Sequence, residues 1–517
     1  MATAAVAAAA MLLAACSSGG GKANDGSTQS NGKPKAGGTL TIATDAPPTT
    51  FDPQVASNFG SFNVGFQVYE APFAIDAKGN RVPSLALSST QPDPLTYELT
   101  LRSGVKFQDG QPFTADDVVY SWQRAQDPKT GAPYALYFAS IKSVTAVSPT
   151  KVEIKLSKPD AALLNQMVMP FFPIVSKSWT EGKSADQVAT TMNGTGPYKL
   201  ASYQTGQTVT LERNANYWDA PKPYIGKVVM NIIGAEGTRL AALRSGQAEL
   251  AWFRDPRVFA QAKSAGFTSA TDLATRELVV FINGLSGPLS DVRVRQALSL
   301  GLDRKALIQA GTAGTGVLSG VIPAGTYTGL SVKAEDLPNY QHDTSKAKEL
   351  LQQAGASNLS IDLNFASDPA FAIDVPMVET MKSQLADIGV TLNLKKTPFA
   401  SIIQQYLGGK LTGLTLIPNV KLPDPALYVG AAVPPAPPRK QIDDPQLQQM
   451  AADAQAEQDP AKRGAAYDAI AKQVAQNVDV LIPYSMPQRF EAWSSKLVNY
   501  VTDPDTERVF LKNAWLG

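Results

Sequence analysis

The chain of 517 residues holds a single cysteine, Cys16, and a single histidine, His342. No disulfide can form within one chain, and a metal site with several imidazole or thiolate ligands cannot be assembled. Cross-links of either kind therefore cannot hold the fold together. At roughly 100–200 residues per domain we expect about three domains, each stabilised by its own hydrophobic core.

The same scarcity limits the chemistry that the chain can perform. A Cys-His or Ser-His dyad would have to use His342, which lies in the capping turn 340–343 and is expected at the surface. A carboxylate pair acting on a sugar needs no histidine, so a hydrolase of that type stays an alternative. No nucleophile constellation supports it, and we expect no enzymatic activity, no cofactor and no metal site.

The charges of the chain nearly cancel. Lys and Arg number 46 against 45 Asp and Glu, a formal net charge of +1. Such a chain has no sequence-independent attraction to a phosphate backbone. We therefore expect no nucleic-acid partner.

The amino terminus has the pattern of an export signal. Residues 2–15 are small and apolar, a run too short to span about 30 Å of hydrocarbon but of signal-peptide length. The run ends in Leu13-Ala14-Ala15-Cys16, which resembles the lipobox of bacterial lipoproteins, whose cysteine receives a diacylglyceryl group. We expect a lipoprotein signal peptide over 1–16, a flexible tether over 17–36, and a lipid anchor at Cys16 on the outer face of the cell membrane.

One observation keeps another interpretation of this segment open. No Lys or Arg precedes Cys16, although a signal peptide normally begins with positive charge, so the true start of translation can differ from Met1. The alternative is an ordinary secretory signal with a coincidental cysteine.

From Gly37 onward, short strands alternate with amphipathic helices, which predicts an α/β or α+β fold. A helix is expected over 343–355, capped by Asp343 and ended by Gly355, and another from Thr114. A helix pair over 443–476 should break at Asp459-Pro460. The strands are expected at 39–44, 97–102, 151–156, 208–213, 227–233, 278–283, 361–365 and 390–394.

Several sequence blocks follow one another over nearly all of 37–516. They are GGTL at 37–40, FDP at 51–53, VYE at 68–70, LRSGVKFQDG at 101–110, TADDVVYSWQR at 114–124, GTGPY at 194–198, RN at 213–214, YW at 217–218, DVRVRQA at 291–297, LDR at 302–304, and AKELL at 347–351 with AG at 354–355. In their joint order and spacing these blocks resemble the oligopeptide-type solute-binding proteins of ABC importers, bacterial extracellular solute-binding protein family 5. Most of the block residues are expected to be structural. Glycines 194 and 196 should approach another backbone, Trp122 should fill a core, and Arg293, Arg295 and Arg304 should pair with carboxylates.

The resemblance implies a two-lobed periplasmic-binding-protein fold with an inserted extra domain and a ligand cleft between the lobes. Lobe I would comprise 37–70, 194–275 and 488–517, the inserted domain II 71–193, and lobe III 276–487. Such a protein, expected as a monomer, closes around an oligopeptide or similar extended solute and presents it to the permease subunits of an ABC importer. A ligand-sensing or chaperone-like lipoprotein that uses the same closing fold without import is the alternative.

The resemblance also carries over candidate ligand-binding residues, position by position. In lobe I they are Asn58 and Phe59, in the loop after the FDP block, and Phe253, whose neighbour Trp252 is as well explained by a core role. In lobe III they are Arg276, Phe399, Asn419 and Lys421.

Lys421 marks a departure from the peptide-binding pattern. Peptide binders that resemble this chain carry at this position an aspartate that grips the ligand's ammonium, and a tryptophan where Pro418 stands. A cation here would repel a free peptide amino terminus, unless Lys421 turns to solvent or pairs with Asp424. We expect a cargo without a free α-ammonium at this end, held through an anionic group by Lys421 and Arg276.

Overall fold

The computed structural model describes residues 32–271, 275–283, 287–323, 329–419, 422, 424–432, 444–487, 489–502 and 509–517. The predicted signal peptide, most of the tether, Cys16 and Lys421 lie outside the described residues. The names lobe I, domain II and lobe III are kept for the ranges given above.

Strands occur along the whole described chain and alternate with helices. The strands are β1 Thr39–Thr44, β2 Phe73–Ile75, β3 Arg81–Pro83, β4 Ala86–Asp93, β5 Thr96–Leu101, β6 Ile141–Ser148, β7 Lys151–Leu156, β8 Tyr198–Gln204, β9 Thr208–Arg213, β10 Lys227–Ile232, β11 Leu250–Phe253, β12 Thr268–Thr271, β13 Thr275–Asn283, β14 Ser360–Ala366, β15 Thr391–Thr397, β16 Gly413–Asn419, β17 Val480–Leu481, β18 Ser485–Pro487, β19 Phe490–Trp493, β20 Leu497–Val498, β21 Val501–Thr502, β22 Val509–Phe510 and β23 Trp515–Leu516. The helices are α1 Phe59–Val68, α2 Ala115–Gln126, α3 Leu163–Gln166, α4 Lys177–Glu181, α5 Ala185–Thr190, α6 Glu236–Arg244, α7 Pro256–Ser264, α8 Val292–Leu300, α9 Arg304–Thr312, α10 Thr344–Gln353, α11 Val375–Asp387, α12 Phe399–Leu407, α13 Pro425–Ala432, α14 Pro445–Ala456 and α15 Pro460–Asn477. The mixed α/β fold is confirmed.

Local sequence signals explain where several helices begin. The carboxylate of Asp343 accepts the backbone N–H of Lys346 at the start of α10, and Thr114 and Asp117 form a capping box before α2. Asp459 caps α15, so the predicted break between α14 and α15 is confirmed.

The described residues form three sheets of four or more strands, besides three two-stranded sheets. The lobe I sheet has the order β12-β19-β11-β1-β10-β9-β8, with β1 parallel to both β10 and β11. The domain II sheet is the antiparallel order β4-β5-β7-β6. The lobe III sheet has the order β15-β14-β16-β13-β17, and β18 also pairs with β13.

The cores follow from the alternation of side chains along the strands. In β1, Leu40 and Ile42 point into a cluster under α1, while Ala43 packs on the opposite face against α6 and α7. In β13, Leu278 and Val280 belong to the core of lobe III. Val279 of the same strand lies in a cluster that continues into domain II.

The block glycines and the block tryptophan have structural roles. A Cβ on Gly194 would lie 1.9 Å from the carbonyl oxygen of Val68, so only glycine fits where the chain returns to lobe I. A Cβ on Gly196 would lie 2.7 Å from the same oxygen. Trp122 is fully buried.

The arginines of the later blocks were predicted to pair with carboxylates, and this is right only for Arg293, which binds Asp291 at 2.5 Å. The guanidinium of Arg295 donates to the carbonyl oxygens of Asn477 and Leu289, and that of Arg304 to the carbonyl oxygen of Ile482. Their positions are buried against chain turns that expose carbonyl groups, and these acceptors replace carboxylates.

Candidate functional site

The carboxyl ends of the parallel strands define one edge of the lobe I sheet. The chain runs from β10 through α6 to β11, which lies on the other side of β1, so β1 is a topological switch point. Ligands of open α/β sheets bind at such edges. Asp45 follows β1 and Arg254 follows β11, and the Nε of Arg254 lies 2.6 Å from the Oδ2 of Asp45.

Charges at this edge are balanced. Burial raises the pKa of Asp45, but the positive charges of Arg254 and Arg239 outweigh it and hold the pKa below its usual value. Arg239 in turn lies 3.3 Å from Glu236 and donates to the carbonyl oxygen of Trp252. The edge therefore presents paired charges.

The loop before α1 contributes an aromatic ring to the same edge. The ring of Phe59 lies 5.4 Å from the guanidinium carbon of Arg254 and is half-buried. Asn58 caps α1: its Oδ1 accepts the backbone N–H of Ser61 and its Nδ2 donates to the carbonyl oxygen of Pro47. Both polar atoms of the Asn58 side chain therefore bond to the backbone and stabilise this loop, whereas Phe59 lies at the sheet edge.

Phe253, chosen from the sequence, does not reach this edge. Its side chain is fully buried in the core beneath α6 and α7, together with Phe490. Arg254, one position later, is the residue of this segment that lies at the edge. The sequence did not indicate Arg254 because all four residues of β11 are buried. Without alternation of polar and apolar residues, the pattern does not show which side chains face the cleft.

A series of aromatic rings leads from Phe59 into domain II. Phe59 contacts Phe62 edge to face, Phe62 lies 6.2 Å from Tyr134, and Tyr134 stacks on Phe171 at 4.7 Å. Tyr137 stacks on the same Phe171 at 4.6 Å. Burial raises the pKa of Tyr134 to about 12, so its hydroxyl stays neutral. The sequence analysis selected only Phe59 among these rings, and together they give the site a partly exposed apolar wall.

The matching edge of lobe III is built in the same way. The strands β14, β15 and β16 are parallel and end together, and the antiparallel β13 begins there. Arg276, in β13, donates from Nη1 and Nη2 to Oδ1 and Oδ2 of Asp374, each at 2.6 Å. Both residues are buried, with 5% and 3% of their surfaces exposed. The guanidinium of Arg276, which was expected to hold an anionic cargo group, is already paired with the carboxylate of Asp374.

Two half-buried phenylalanines lie beside this ion pair. The rings of Phe371 and Phe399 are 4.6 Å apart, and the guanidinium carbon of Arg276 lies 5.7 Å from the Phe371 ring. The backbone N–H of Phe399 donates to Asp368, which fixes the start of α12 at this edge. Phe399 therefore lies at the lobe III edge, shortly after β15 ends.

Asn419 ends β16 and is the register partner of Glu277 in β13. Glu277 is 1% exposed and accepts a hydrogen bond of 2.7 Å from Ser319. Burial raises the pKa of its carboxyl group well above the usual value. Lys421, two positions after Asn419, lies outside the described residues.

The topology brings the two edges together. The strand β12 is antiparallel to β19, which is antiparallel to β11, so β12 ends at the lobe I edge. Only residues 272–274 separate its end from the start of β13 at the lobe III edge. Such a connection spans at most about 14 Å. We call the space between the two edges the cleft. Phe59 and Arg254 lie on the lobe I side of the cleft. The lobe III side has Arg276, Phe399 and Asn419.

The described residues include no group of three or more His, Cys, Asp or Glu placed to hold a metal ion. Nor do they include a helix that is long and apolar enough to cross a membrane. His342 is exposed.

Comparison with known proteins identifies the kind of molecule to which this cleft belongs. The family model of bacterial extracellular solute-binding proteins, family 5, middle region, matches residues 80–426. Heme-binding protein A of Haemophilus influenzae is 31% identical over 422 residues, which are 75% of this chain and 76% of that protein. The glutathione-binding protein GsiB of Escherichia coli K12 is 28% identical over 347 residues, 66% of each chain.

Solved structures share the fold. The binding protein AgaA of A. tumefaciens R10, in complex with agropinic acid, superposes with a TM-score of 0.81 at 24% identity, covering 93% of this chain and 99% of that one. The oligopeptide-binding protein AppA of Bacillus subtilis, in complex with a nonapeptide, gives 0.81 at 21% identity, covering 94% and 100%. The two-lobed binding-protein fold predicted from the sequence blocks is confirmed.

Proposed function

The chain belongs to the bacterial extracellular solute-binding proteins of family 5, and we propose that it captures an oligopeptide or peptide-like extended solute in the cleft and delivers it to an importer permease. Proteins of this family are extracytoplasmic binding components of ABC importers and not enzymes. The observation that carries this proposal is the meeting of two strand-end edges at the cleft. Each edge combines an ion pair with exposed aromatic surface, through Arg254 with Phe59 and through Arg276 with Phe399.

The described part of the cleft favours a cargo with little net charge and with apolar or aromatic groups. Arg254 and Arg276 are each neutralised by a carboxylate, and neither supplies an unbalanced positive charge. Half-buried rings on both sides offer flat apolar surface that closure would cover. This replaces the expectation that Arg276 grips an anionic group.

The proposal that the cargo lacks a free α-ammonium now depends on Lys421 alone. Its test is calorimetric titration of wild type and Lys421→Asp with free and N-acetylated peptides. Tight wild-type binding that depends on a free amino terminus would contradict it.

Lipid attachment through Cys16 is the second part of the proposal. A cysteine at the end of a 14-residue small and apolar run supports it. Cys16→Ala should move the protein from the membrane fraction to the soluble fraction. An unchanged distribution would count against the anchor.

Native mass spectrometry of the purified protein tests the function as a whole. A co-purified solute that is released unchanged on unfolding, and that cells lacking the protein fail to take up, is the expected result. Binding without any effect on uptake would favour a ligand-sensing or chaperone-like role. A chemically altered solute would contradict a pure binding function.

A further inference from the structure

Domain II touches lobe III, although the chain joins domain II only to lobe I. Leu163 and Met167 of domain II are fully buried in one hydrophobic cluster with Tyr428, Leu447 and Tyr467 of lobe III. The cluster is continuous from the domain II sheet to α13, α14 and α15. The contact therefore resembles a core more than an incidental touch between surfaces.

Polar contacts surround this apolar centre. The backbone N–H of Ala161 donates to the carbonyl oxygen of Gln455 at 3.0 Å, and the Nζ of Lys158 lies 3.4 Å from the Oε1 of the same glutamine. The amide of Asn165 donates to Asp424 at 3.3 Å. We call residues 158–167 the latch, and the surface of α13, α14 and α15 that receives it the socket.

The socket is held in shape by a buried ion pair. Arg463 donates to both carboxylate oxygens of Asp424, at 2.9 and 2.5 Å, and its Nε donates to the carbonyl oxygen of Ala454. These bonds tie the start of α13 to α14 and α15. The latch therefore meets a preformed surface.

The other side of domain II is fixed to lobe I. Arg124 forms a two-pronged ion pair with Asp52, at 3.0 and 2.5 Å. Gln108 donates to the carbonyl oxygen of Tyr198 at 2.6 Å. Domain II and lobe I are thus joined by the chain and by buried bonds, and a movement of lobe III relative to lobe I would have to separate latch from socket.

We propose that the latch and the socket hold the cleft closed without any cargo, so that domain II sets the balance between open and closed forms. The proposal rests on the proposed function, in which the lobes close around a solute. A contact that stabilises only the closed form raises its population in the cargo-free protein. The apparent affinity for cargo is proportional to the fraction of the protein that is in the form able to bind it. Latch and socket residues therefore change the affinity for cargo without contacting it.

The test is an engineered disulfide between Ala161→Cys and Gln455→Cys in a Cys16→Ser background. Cargo is first removed by unfolding and refolding the protein. Oxidised glutathione is the oxidant: the two cysteine thiols form a disulfide and lose two hydrogens, and one oxidised glutathione is reduced to two glutathione molecules. We expect the crosslink in the cargo-free protein, at least tenfold faster than in a control pair of Ala161→Cys with Lys472→Cys, an exposed position further along α15.

A further variant separates a latch from an incidental contact. Asn165→Ala in the crosslinking pair removes the bond to Asp424 and should slow crosslinking several-fold. The control is Asn393→Ala, whose amide donates to Ser360 and Asp362 within the lobe III sheet, and it should leave the rate unchanged.

The outcomes decide between this proposal and the proposed function. Crosslinking no faster than the control pair in the stripped protein, or an unchanged rate in Asn165→Ala, would overturn the latch. Fast crosslinking in a protein that neither carries a solute nor supports uptake would leave the latch standing and overturn the proposed function.

Discussion

The guanidinium of Arg276 and the carboxylate of Asp374 face each other in parallel, with both pairs of nitrogen and oxygen atoms 2.6 Å apart and both residues buried. The pair joins the first residues of β13 to the start of α11 at the edge of the cleft. Two opposite charges in this geometry satisfy one another. At this point the cleft is therefore lined by a paired guanidinium and carboxylate, and Arg276 does not offer it an unpaired positive charge.

Asp374→Asn should destabilise the protein by about 3–5 kcal/mol, because it leaves the charge of Arg276 buried and uncompensated. Replacing both partners, as Arg276→Met with Asp374→Leu, should recover most of that loss. Urea unfolding of the single variant, the double variant and wild type measures both effects. A single variant as stable as wild type would show that water reaches Arg276 in the folded protein.

Asp479 should make stability depend on pH. Its carboxylate is buried, and burial raises its pKa to about 7, although the charge of Arg295 lowers it and Asp444 raises it further. The folded state thus binds a proton more tightly than the unfolded state, whose pKa is near 3.8. This contribution to stability is largest below about pH 4, declines as pH rises to about 7, and is absent above that, a change of up to about 4 kcal/mol.

Asp479→Asn should abolish that decline. The variant should be more stable than wild type at pH 8 and close to it at pH 4, as measured by urea unfolding across this range. The control is Asp387→Asn, at an exposed position at the end of α11, which should follow the wild-type curve. Parallel curves for wild type and Asp479→Asn would place the titration elsewhere.

Much of the fold could be predicted because its signals are local. Strands at 39–44, 151–156 and 208–213 have the predicted bounds, since alternation of side chains is read from adjacent residues. Strand β13 begins at Thr275, three residues before the prediction, because the polar pair Arg276 and Glu277 hid its start.

The site was harder to predict because its contacts join distant parts of the chain. Asp374 lies 98 positions after Arg276, and no local pattern links them. Tyr134 and Phe171 stack across domain II, and the latch and socket are separated by nearly 300 positions. Phe399 was a candidate because of its position in the family pattern, and the structure places it shortly after β15.

Phe399 gives the most direct test of the cleft. Its ring packs on Phe371 and is half-buried in the structure, so closure around a solute would cover the rest. Phe399→Ala should weaken binding of the co-purified solute by about tenfold or more, because an aromatic contact of this kind contributes about 1.5 kcal/mol or more on full burial. The matched control is Phe267→Ala. This phenylalanine is also half-buried but lies just before β12, at the edge of the lobe I sheet opposite the cleft. Isothermal titration calorimetry measures both affinities, and urea unfolding shows whether either variant is destabilised. Equal affinities for the two variants would place the solute away from the lobe III edge.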